Sequence, residues 1–323
     1  MTRPRVLHVD TFSAANAQSN VKGMTAAYTK VATHLPYDYR LATNYGRESM
    51  NNELRQIARK FNPDLVHLGK CESVRGDAIK YIKQWVGATV IHFYGDYRAK
   101  LQLFVVDIGR HADWTLLQHA DPYQMRCYKD AGCNQVGTWL AGTDPAVFHP
   151  YPLAKEYDVI FMANFSTIHA SLGADRGAFL KDLISAGISV DLFGNGWSNR
   201  IPDLLIHPYV ATDDFARACS QARIALNYST TQAYLYTSWP RVFNTMASGC
   251  FFATRYFPGL ETLFENGKHL VWFDTHDEAI SLIKYYLSHD AAREKIALAG
   301  RQQVLSAHTW DNRIAQMIGY INA

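Results

Sequence analysis

An arginine lies where a helix is predicted to begin in the second half of the chain. In residues 238–250, Pro240 suits a first helical position and Gly249 suits the exit from the helix. Arg241 then falls in the first turn, where a cation opposes the helix dipole. This placement becomes favourable if an anion such as a diphosphate binds there, because guanidinium groups form charged hydrogen bonds to phosphate. The alternative is a surface arginine with no such role.

A carboxylate follows the next predicted strand. Glu261 comes shortly after the strand 251–254 and the turn around Pro258 and Gly259. A carboxylate in this position can accept hydrogen bonds from both hydroxyls of a ribose. Taken alone, Glu261 has a common alternative role as a solvated residue at a helix start.

Small and amide residues follow two other predicted strands. Asn164 comes after strand 159–162, and Gly194, Asn195 and Gly196 come after strand 189–193. Glycines permit close approach of a ligand to the backbone, and ligands of open α/β sheets bind at the carboxyl ends of the strands. An ordinary tight turn is the alternative for the two glycines.

Titratable side chains also follow predicted strands in the first half of the chain. His67 ends strand 65–68, and His92 and Asp96 lie at the end of strand 89–93. Asp96 or His67 in such a place could act as a general base toward a bound hydroxyl. The alternatives are buried histidines with satisfied hydrogen bonds and a salt bridge between Asp96 and Arg98.

Several phosphate and metal motifs do not occur in the sequence. It contains no GxxxxGK[ST] loop, and the loop after the first strand, residues 11–16 ending at Asn16, lacks the GxGxxG pattern of nicotinamide dehydrogenases. No Asp-x-Asp triplet occurs, so no metal site of that kind is predicted. A bound diphosphate would have to be neutralised by cationic side chains and helix N-termini.

Short apolar runs alternate with longer amphipathic segments along the whole chain, which predicts parallel sheets with crossover helices. In the first half we expect strands at 5–9, 39–43, 65–68, 89–93, 114–117 and 135–140. The proline-rich segment 142–152 is the predicted boundary between two α/β domains. In the second half we expect strands at 159–162, 189–193, 204–207, 224–228, 251–254 and 270–273.

Composition and charge limit the classes of protein to which the chain can belong. Hydrophobic residues make up 48% and charged residues 19% of the 323 residues, as in globular proteins. Five scattered cysteines and the lack of an apolar leader or 18-residue apolar stretch predict reduced thiols and a cytoplasmic location. Residues 1–150 contain 18 Lys and Arg against 13 Asp and Glu, a positive balance that would suit an acidic partner such as DNA, a glycan or a lipid surface.

Four motifs of the second half resemble the C-terminal domain of group 1 (family 4) glycosyltransferases, most closely the branch of spore-maturation CgeB-like proteins. They are Arg241-x-Phe243-x-x-x-Ala247-x-Gly249, Gly259-Leu260-Glu261-x-Leu263-Phe264, Gly267-Lys268 and His308-Thr309-Trp310-x-x-Arg313. The resemblance implies the GT-B fold, an α/β architecture with two Rossmann-like domains facing each other across a cleft. Residues 1–150 would bind the acceptor and residues 151–323 the nucleotide sugar, with the last helix packing back on the first domain.

The resemblance also implies residue roles. Arg241 matches the cation that contacts the diphosphate, Glu261 the carboxylate near the ribose, and Tyr209 lies in the loop that touches the nucleobase. The glutamate usual in the family three residues after the arginine is replaced by Asn244 here. The complete set of expected donor contacts is Asn164, Gly194, Asn195, Gly196, Tyr209, Ser229, Thr230, Arg241, Asn244, Gly259, Leu260 and Glu261.

The sequence therefore predicts a metal-independent glycosyltransferase that takes its sugar from a nucleotide-diphosphate sugar, with a UDP-sugar expected as co-substrate and no other cofactor. The predicted catalytic residues are Asp96, His67 and Arg241, and the predicted acceptor contacts are Asn16, His92 and Arg98. Two alternatives stay open. One is a DNA-modifying transferase of the phage type that acts on hydroxymethylated bases, and the other is a sugar-nucleotide binding protein or epimerase without transfer activity.

Overall fold

The computed structural model describes residues 3–13, 19–165, 170–229 and 231–322. Contacts between residues divide the chain into two units. Unit 1 contains Met1–Gly142, Ala233–Tyr236 and Trp310–Ala323, and unit 2 contains Thr143–Gln232 and Thr237–Thr309. Unit 2 begins at Thr143, inside the proline-rich segment 142–152, and the Thr143 amide donates to the His308 carbonyl oxygen at 2.9 Å within this unit.

Unit 1 is built on a parallel six-stranded sheet. Its strands are β1 (Arg5–Asp10), β2 (Thr33–Asp38), β3 (Leu65–Leu68), β4 (Thr89–Tyr94), β5 (Trp114–Leu117) and β6 (Gln135–Thr138). They are ordered β2-β1-β3-β4-β5-β6. The connecting helices are α1 (Ser19–Val31), α2 (Tyr39–Thr43), α3 (Arg47–Phe61), α4 (Gly76–Trp85), α5 (Leu103–Gly109) and α6 (Pro122–Asp130).

Unit 2 repeats this architecture. The strands are β7 (Tyr157–Met162), β8 (Val190–Phe193), β9 (Leu205–His207), β10 (Ala222–Asn227), β11 (Phe251–Arg255) and β12 (Val271–Phe273). They form a parallel sheet in the order β12-β11-β10-β7-β8-β9. The helices are α7 (Ala170–Ser185), α8 (Thr212–Gln221), α9 (Trp239–Ala247), α10 (His276–Ser288) and α11 (Asp290–Ala307), and a single turn of 3₁₀ helix spans Leu260–Thr262.

The last helix of the chain, α12 (Trp310–Gly319), belongs to unit 1 and packs against α1. Gly23 on α1 makes this packing possible, because a Cβ at this position would overlap the Trp310 indole. Lys30 and Asp311 add an ion pair of 2.8 Å between the same two helices.

Each unit has its own apolar core. The central strands are nearly continuous apolar runs, as expected for parallel strands that helices cover on both faces. Leu7, Val66 and Val90 are fully buried in unit 1, and Val159 and Leu226 are buried in unit 2. The five cysteines are all free. None of the helices in the described ranges combines the length and the apolar character needed to cross a bilayer.

One predicted strand is wrong. Residues 39–43 form helix α2, and the preceding residues 33–38 form β2 instead. Asp38 causes the switch, because its side chain accepts a hydrogen bond from the Leu41 amide and caps the helix. Pro36 is tolerated because β2 lies at the edge of the sheet.

Two helical glycines of unit 2 give a test of the packing. In Gly177→Ala on α7, the new Cβ meets only the Ile201 side chain at 4.0 Å. In Gly300→Ala on α11, the new Cβ would overlap the His269 carbonyl oxygen. We expect Gly177→Ala to raise the free energy of unfolding by up to about 1 kcal/mol, since alanine is the better helix former. We expect Gly300→Ala to lower it by roughly 1–3 kcal/mol because of the overlap. Urea denaturation measures both changes, and a stabilising Gly300→Ala would contradict the packing of α11.

Candidate active site

Arg241 lies in the first turn of α9, as predicted, although the helix begins one residue earlier, at Trp239. The Ser238 side chain makes no capping hydrogen bond to this helix start. At the other end, Gly249 has a φ of +76° and allows the chain to leave the helix. The Arg301 guanidinium donates to the Ala247 carbonyl oxygen at 3.0 Å, where a cation is favourable.

The Arg241 guanidinium is partly buried and faces the carboxyl end of β10. Its Nη1 is 3.4 Å from Oδ1 of Asn227, and no carboxylate pairs with it in the part of the chain that the structure describes. Burial, with a further contribution from the positive charge of Arg176, lowers the pKa of Arg241 to about 10. Tyr209 opposes this shift. A bound anion would therefore supply the opposite charge that this group lacks.

Two further arginines lie at the same end of the sheet and escaped the sequence analysis. Arg176, on α7, donates from Nε to the Tyr228 carbonyl oxygen at 3.4 Å. Arg255, the last residue of β11, lies over the Tyr228 ring at 5.0 Å. With Arg241 these side chains form a cationic edge around the end of β10.

Glu261 is exposed in the 3₁₀ turn that follows β11. Its carboxylate accepts hydrogen bonds from the Gly259 amide at 3.1 Å and from the Tyr256 hydroxyl at 3.0 Å. Gly259 has a φ of +92°, a conformation that favours glycine, so the tight turn fixes the carboxylate at its tip. The Leu260 side chain is fully buried in the core, so a contact of Leu260 with a donor would have to come from its backbone, and it stays a prediction.

The loops after β7 and β8 hold each other. The exposed Asn164 accepts a hydrogen bond at its Oδ1 from the Asn195 amide at 2.8 Å. A Cβ on Gly194 would overlap the Ala163 carbonyl oxygen, and Gly196 has a φ of +82°. The close approach that these glycines permit is therefore between two loops of the protein. Asn164 and Asn195 are the members of this group that present polar side chains to solvent.

Three other expected donor contacts lie around β10 and α8. Ser229 is buried after β10, and its hydroxyl donates to the Thr231 carbonyl oxygen at 3.1 Å. Tyr209, before α8, has 58% of its surface exposed and lies close enough to Arg241 to affect its pKa. Thr230 lies outside the described residues.

Asn244 is buried on α9, and its Oδ1 accepts a hydrogen bond from the Thr143 hydroxyl at 2.8 Å. This hydrogen bond holds the start of the linker segment against α9. The expected contact of Asn244 with the donor stays a prediction.

In unit 1, Asp96 is held between two cations. Its Oδ2 is 3.1 Å from the Lys70 ammonium and 3.4 Å from the Arg98 guanidinium. All three side chains are between about a third and a half exposed, at 39%, 46% and 42%. The pairing of Asp96 with Arg98, one of the alternatives from the sequence, is confirmed, and Lys70 is a second cationic partner.

His67 and His92 are both fully buried, so neither side chain is exposed to an acceptor in this structure, and their expected roles stay predictions. Nδ1 of His67 is 2.9 Å from the Tyr28 hydroxyl. Burial lowers the pKa of His67 well below its ordinary value, and neighbouring histidines lower it further. Burial lowers the pKa of His92 to about 4, and its Nε2 lies 3.1 Å from the Lys70 carbonyl oxygen. Asn16 lies outside the described residues.

No cluster of three or more His, Cys, Asp or Glu side chains within the described ranges is arranged to hold a metal ion. In unit 2 the arginines at the end of β10 and the backbone amides at the start of α9 are groups that could bind an anion.

A family model described as glycosyl transferase-like matches residues 176–319. The chain therefore contains a glycosyltransferase-like domain, and this domain includes Arg241 and Glu261. The search of curated proteins gives no match.

Solved structures match nearly the whole chain. HepE of Anabaena in complex with UDP is 11% identical, with a TM-score of 0.68, and the match covers 98% of this chain and 100% of that one. A sucrose-phosphate synthase of Thermosynechococcus elongatus is 12% identical over 98% of both chains, with a TM-score of 0.65. A glycosyltransferase of Rickettsia africae is 12% identical over 99% and 98% of the two chains, with a TM-score of 0.67. These likenesses confirm the GT-B fold with its two Rossmann-like domains.

The partly buried charge of Arg241 should lower the stability of the ligand-free protein. Arg241→Met keeps an apolar stem but removes a charge that has no anionic partner in the described structure. We expect this substitution to raise the free energy of unfolding of the ligand-free protein by roughly 1–2 kcal/mol. The matched control is Arg223→Met, which removes a surface pair with Asp158 and should change stability by less than about 0.5 kcal/mol. Chemical denaturation measures both, and a clear loss of stability in Arg241→Met would contradict the assignment.

Proposed function

We propose that the protein is a glycosyltransferase that binds the diphosphate of a nucleotide-diphosphate sugar at Arg241 and transfers the sugar to an acceptor hydroxyl. The observation that carries the proposal is the guanidinium at the start of α9, which is partly desolvated, lies near a second guanidinium and has no carboxylate partner among the described residues. The glycosyltransferase-like match over residues 176–319 and the GT-B fold support the same function. The CgeB-like branch stays a prediction from the motifs.

We propose UDP as the nucleotide. The likeness to HepE, a protein solved with UDP, supports this choice. In this proposal Arg241 neutralises the leaving diphosphate, Arg176 and Arg255 contribute to the same positive field, and Glu261 accepts hydrogen bonds from the ribose. Exposed Tyr209 is the side chain suited to stack on the base.

The diphosphate is neutralised without a metal in this proposal. The cationic edge at the end of β10 performs the charge stabilisation that a divalent ion performs in other transferases. Equal UDP affinity in EDTA and in magnesium supports this arrangement. A requirement for magnesium would contradict it and would leave the donor assignment itself standing.

Calorimetry with UDP tests the role of Arg241. We expect Arg241→Met to weaken UDP binding by roughly 1.5–3 kcal/mol, about 10- to 150-fold, because a charged hydrogen bond to phosphate is lost. Arg223→Met is again the control, since Arg223 lies at the opposite end of β10 and pairs with Asp158 at 3.5 Å. Unchanged UDP affinity in Arg241→Met would refute the diphosphate site.

A second binding comparison separates the ribose contact from the phosphate contact. Glu261→Gln should weaken UDP binding about tenfold, because the carboxylate accepts hydrogen bonds from the ribose hydroxyls. The affinity for inorganic pyrophosphate, which has no ribose, should stay the same. Equal losses for both ligands would show that Glu261 acts by holding the turn at Gly259 instead.

Turnover distinguishes the transferase from the alternatives. Release of UDP from one member of a panel of UDP-sugars supports an enzyme that breaks the bond to the anomeric carbon. Tight binding of a UDP-sugar without release of UDP supports a binding protein, and conversion to an epimer supports an epimerase.

A further inference from the structure

Three guanidinium groups of unit 2 contact two consecutive residues at the end of β10. Arg241 lies 3.4 Å from Asn227, the last residue of the strand. The next residue, Tyr228, contacts the other two. Its carbonyl oxygen accepts a hydrogen bond from Arg176 at 3.4 Å, and its ring centroid is 5.0 Å from the guanidinium carbon of Arg255. The cationic edge is therefore built around Tyr228, and the orientation of this ring decides where the Arg255 guanidinium lies.

The contact between Arg255 and the Tyr228 ring is a cation–π interaction. Within the described ranges, no carboxylate pairs with Arg255. An aromatic ring holds a guanidinium in place without neutralising it, because the ring offers a quadrupole and no negative charge. The positive charge of Arg255 is therefore positioned and still available to an anion.

The Tyr228 ring is itself held by a hydrogen-bonded chain. Its hydroxyl is 3.0 Å from Nε2 of His276, and Nδ1 of His276 is 2.6 Å from Oδ2 of Asp182. An ionised carboxylate only accepts hydrogen bonds, so Nδ1 carries a proton. In the neutral imidazole, Nε2 then accepts the hydrogen bond that the Tyr228 hydroxyl donates.

The members of this chain come from three elements of unit 2. Tyr228 follows β10 and is 6% exposed, Asp182 lies on α7, and His276 is the first residue of α10. Thr275 caps α10 with a capping box, so the imidazole projects from a fixed backbone. Phe179 of α7 stacks on the Tyr228 ring, with centroids 4.6 Å apart. Packing and hydrogen bonds together hold the ring in one orientation.

Packing alone does not account for a tyrosine at position 228. Phenylalanine would fill the core of unit 2 at this place without a hydroxyl, and a buried hydroxyl costs free energy unless it is paired. The hydroxyl of Tyr228 is paired with His276, and the same ring carries the guanidinium of Arg255. The chain from Asp182 therefore ends at a cation.

We propose that Arg255 binds the diphosphate of the nucleotide together with Arg241. Tyr228 and His276 are then positioning residues, which hold the Arg255 guanidinium in the orientation for binding. This proposal rests on the proposed glycosyltransferase function and concerns unit 2 alone. A diphosphate spreads its negative charge over two phosphates, and guanidinium groups that contact consecutive residues match this spread.

Calorimetry with UDP and with inorganic pyrophosphate tests the role of Arg255. We expect Arg255→Met to weaken the binding of both ligands about 10- to 100-fold, because a charged hydrogen bond to phosphate is lost. The affinity for uridine, measured by ligand-observed NMR, should stay the same because uridine has no phosphate. Unchanged affinity for UDP and pyrophosphate in Arg255→Met would overturn the proposal, and so would an equal loss for uridine.

A double-mutant cycle tests whether His276 acts through Arg255. His276→Phe keeps a ring beside Phe179 but removes both hydrogen bonds of the imidazole. We expect this substitution to weaken UDP binding about three- to tenfold. In the Arg255→Met background it should change the affinity by less than about twofold, because the group that it positions is absent. An equal loss in both backgrounds would overturn the positioning role.

Two further variants separate this role from a loss of folding. In His276→Gln the side-chain amide still accepts a hydrogen bond from the Tyr228 hydroxyl, so the UDP affinity should return to within about twofold of the wild type. His289→Gln, at the opposite end of α10, replaces an exposed imidazole and should bind UDP like the wild type. A loss in His276→Gln as large as that in His276→Phe would contradict the role of the hydrogen bond.

Failure of the proposed function is distinguishable from failure of this inference. If the wild-type protein binds neither UDP nor pyrophosphate, the diphosphate site itself is wrong. If the wild type binds both ligands and Arg255→Met binds them equally well, the diphosphate site stands and the roles of Arg255, Tyr228 and His276 are wrong.

Discussion

The partly desolvated positive charge of Arg241 is the constraint on which the proposed donor site in unit 2 depends. The first turn of α9 positions this charge against the end of β10, where no carboxylate among the described residues neutralises it. Gly249 and Arg301 fix the far end of the same helix, and Gly300 allows α11 to pack closely enough to support it. The fold therefore maintains a cation in an unfavourable position. In the proposed function a bound diphosphate would make the position favourable, and the stability cost in the free protein would be linked to recognition of the donor.

The same architecture carries different side chains in the two units. Both sheets are parallel, and in both the strand order reverses beside the first strand of the unit. In unit 2 the switch point lies between β7 and β10 and is surrounded by guanidinium groups. In unit 1 it lies between β1 and β3, where the Asp10 carboxylate packs against Gly69. The cationic edge of unit 2 is suited to an anionic ligand such as a diphosphate.

Much of the fold was predictable from the sequence, because buried parallel strands are short apolar runs separated by amphipathic helices. The positions of Arg241 at a helix start and of Glu261 after a strand were predictable. The direction of individual side chains could not be predicted from the sequence. Asn244 faces Thr143, 101 residues away in sequence, and Leu260 points into the core. Arg176 was missed because its approach to Tyr228 depends on the packing of α7.

The proposed function depends on the contact between a diphosphate and Arg241. A crystal structure of the protein with UDP measures that contact directly. The account predicts phosphate oxygens at charged hydrogen-bond distance, about 2.7–2.9 Å, from the Arg241 guanidinium, with the ribose hydroxyls directed to Glu261. UDP bound at another place in the chain, or bound with its phosphates directed away from Arg241, would contradict it.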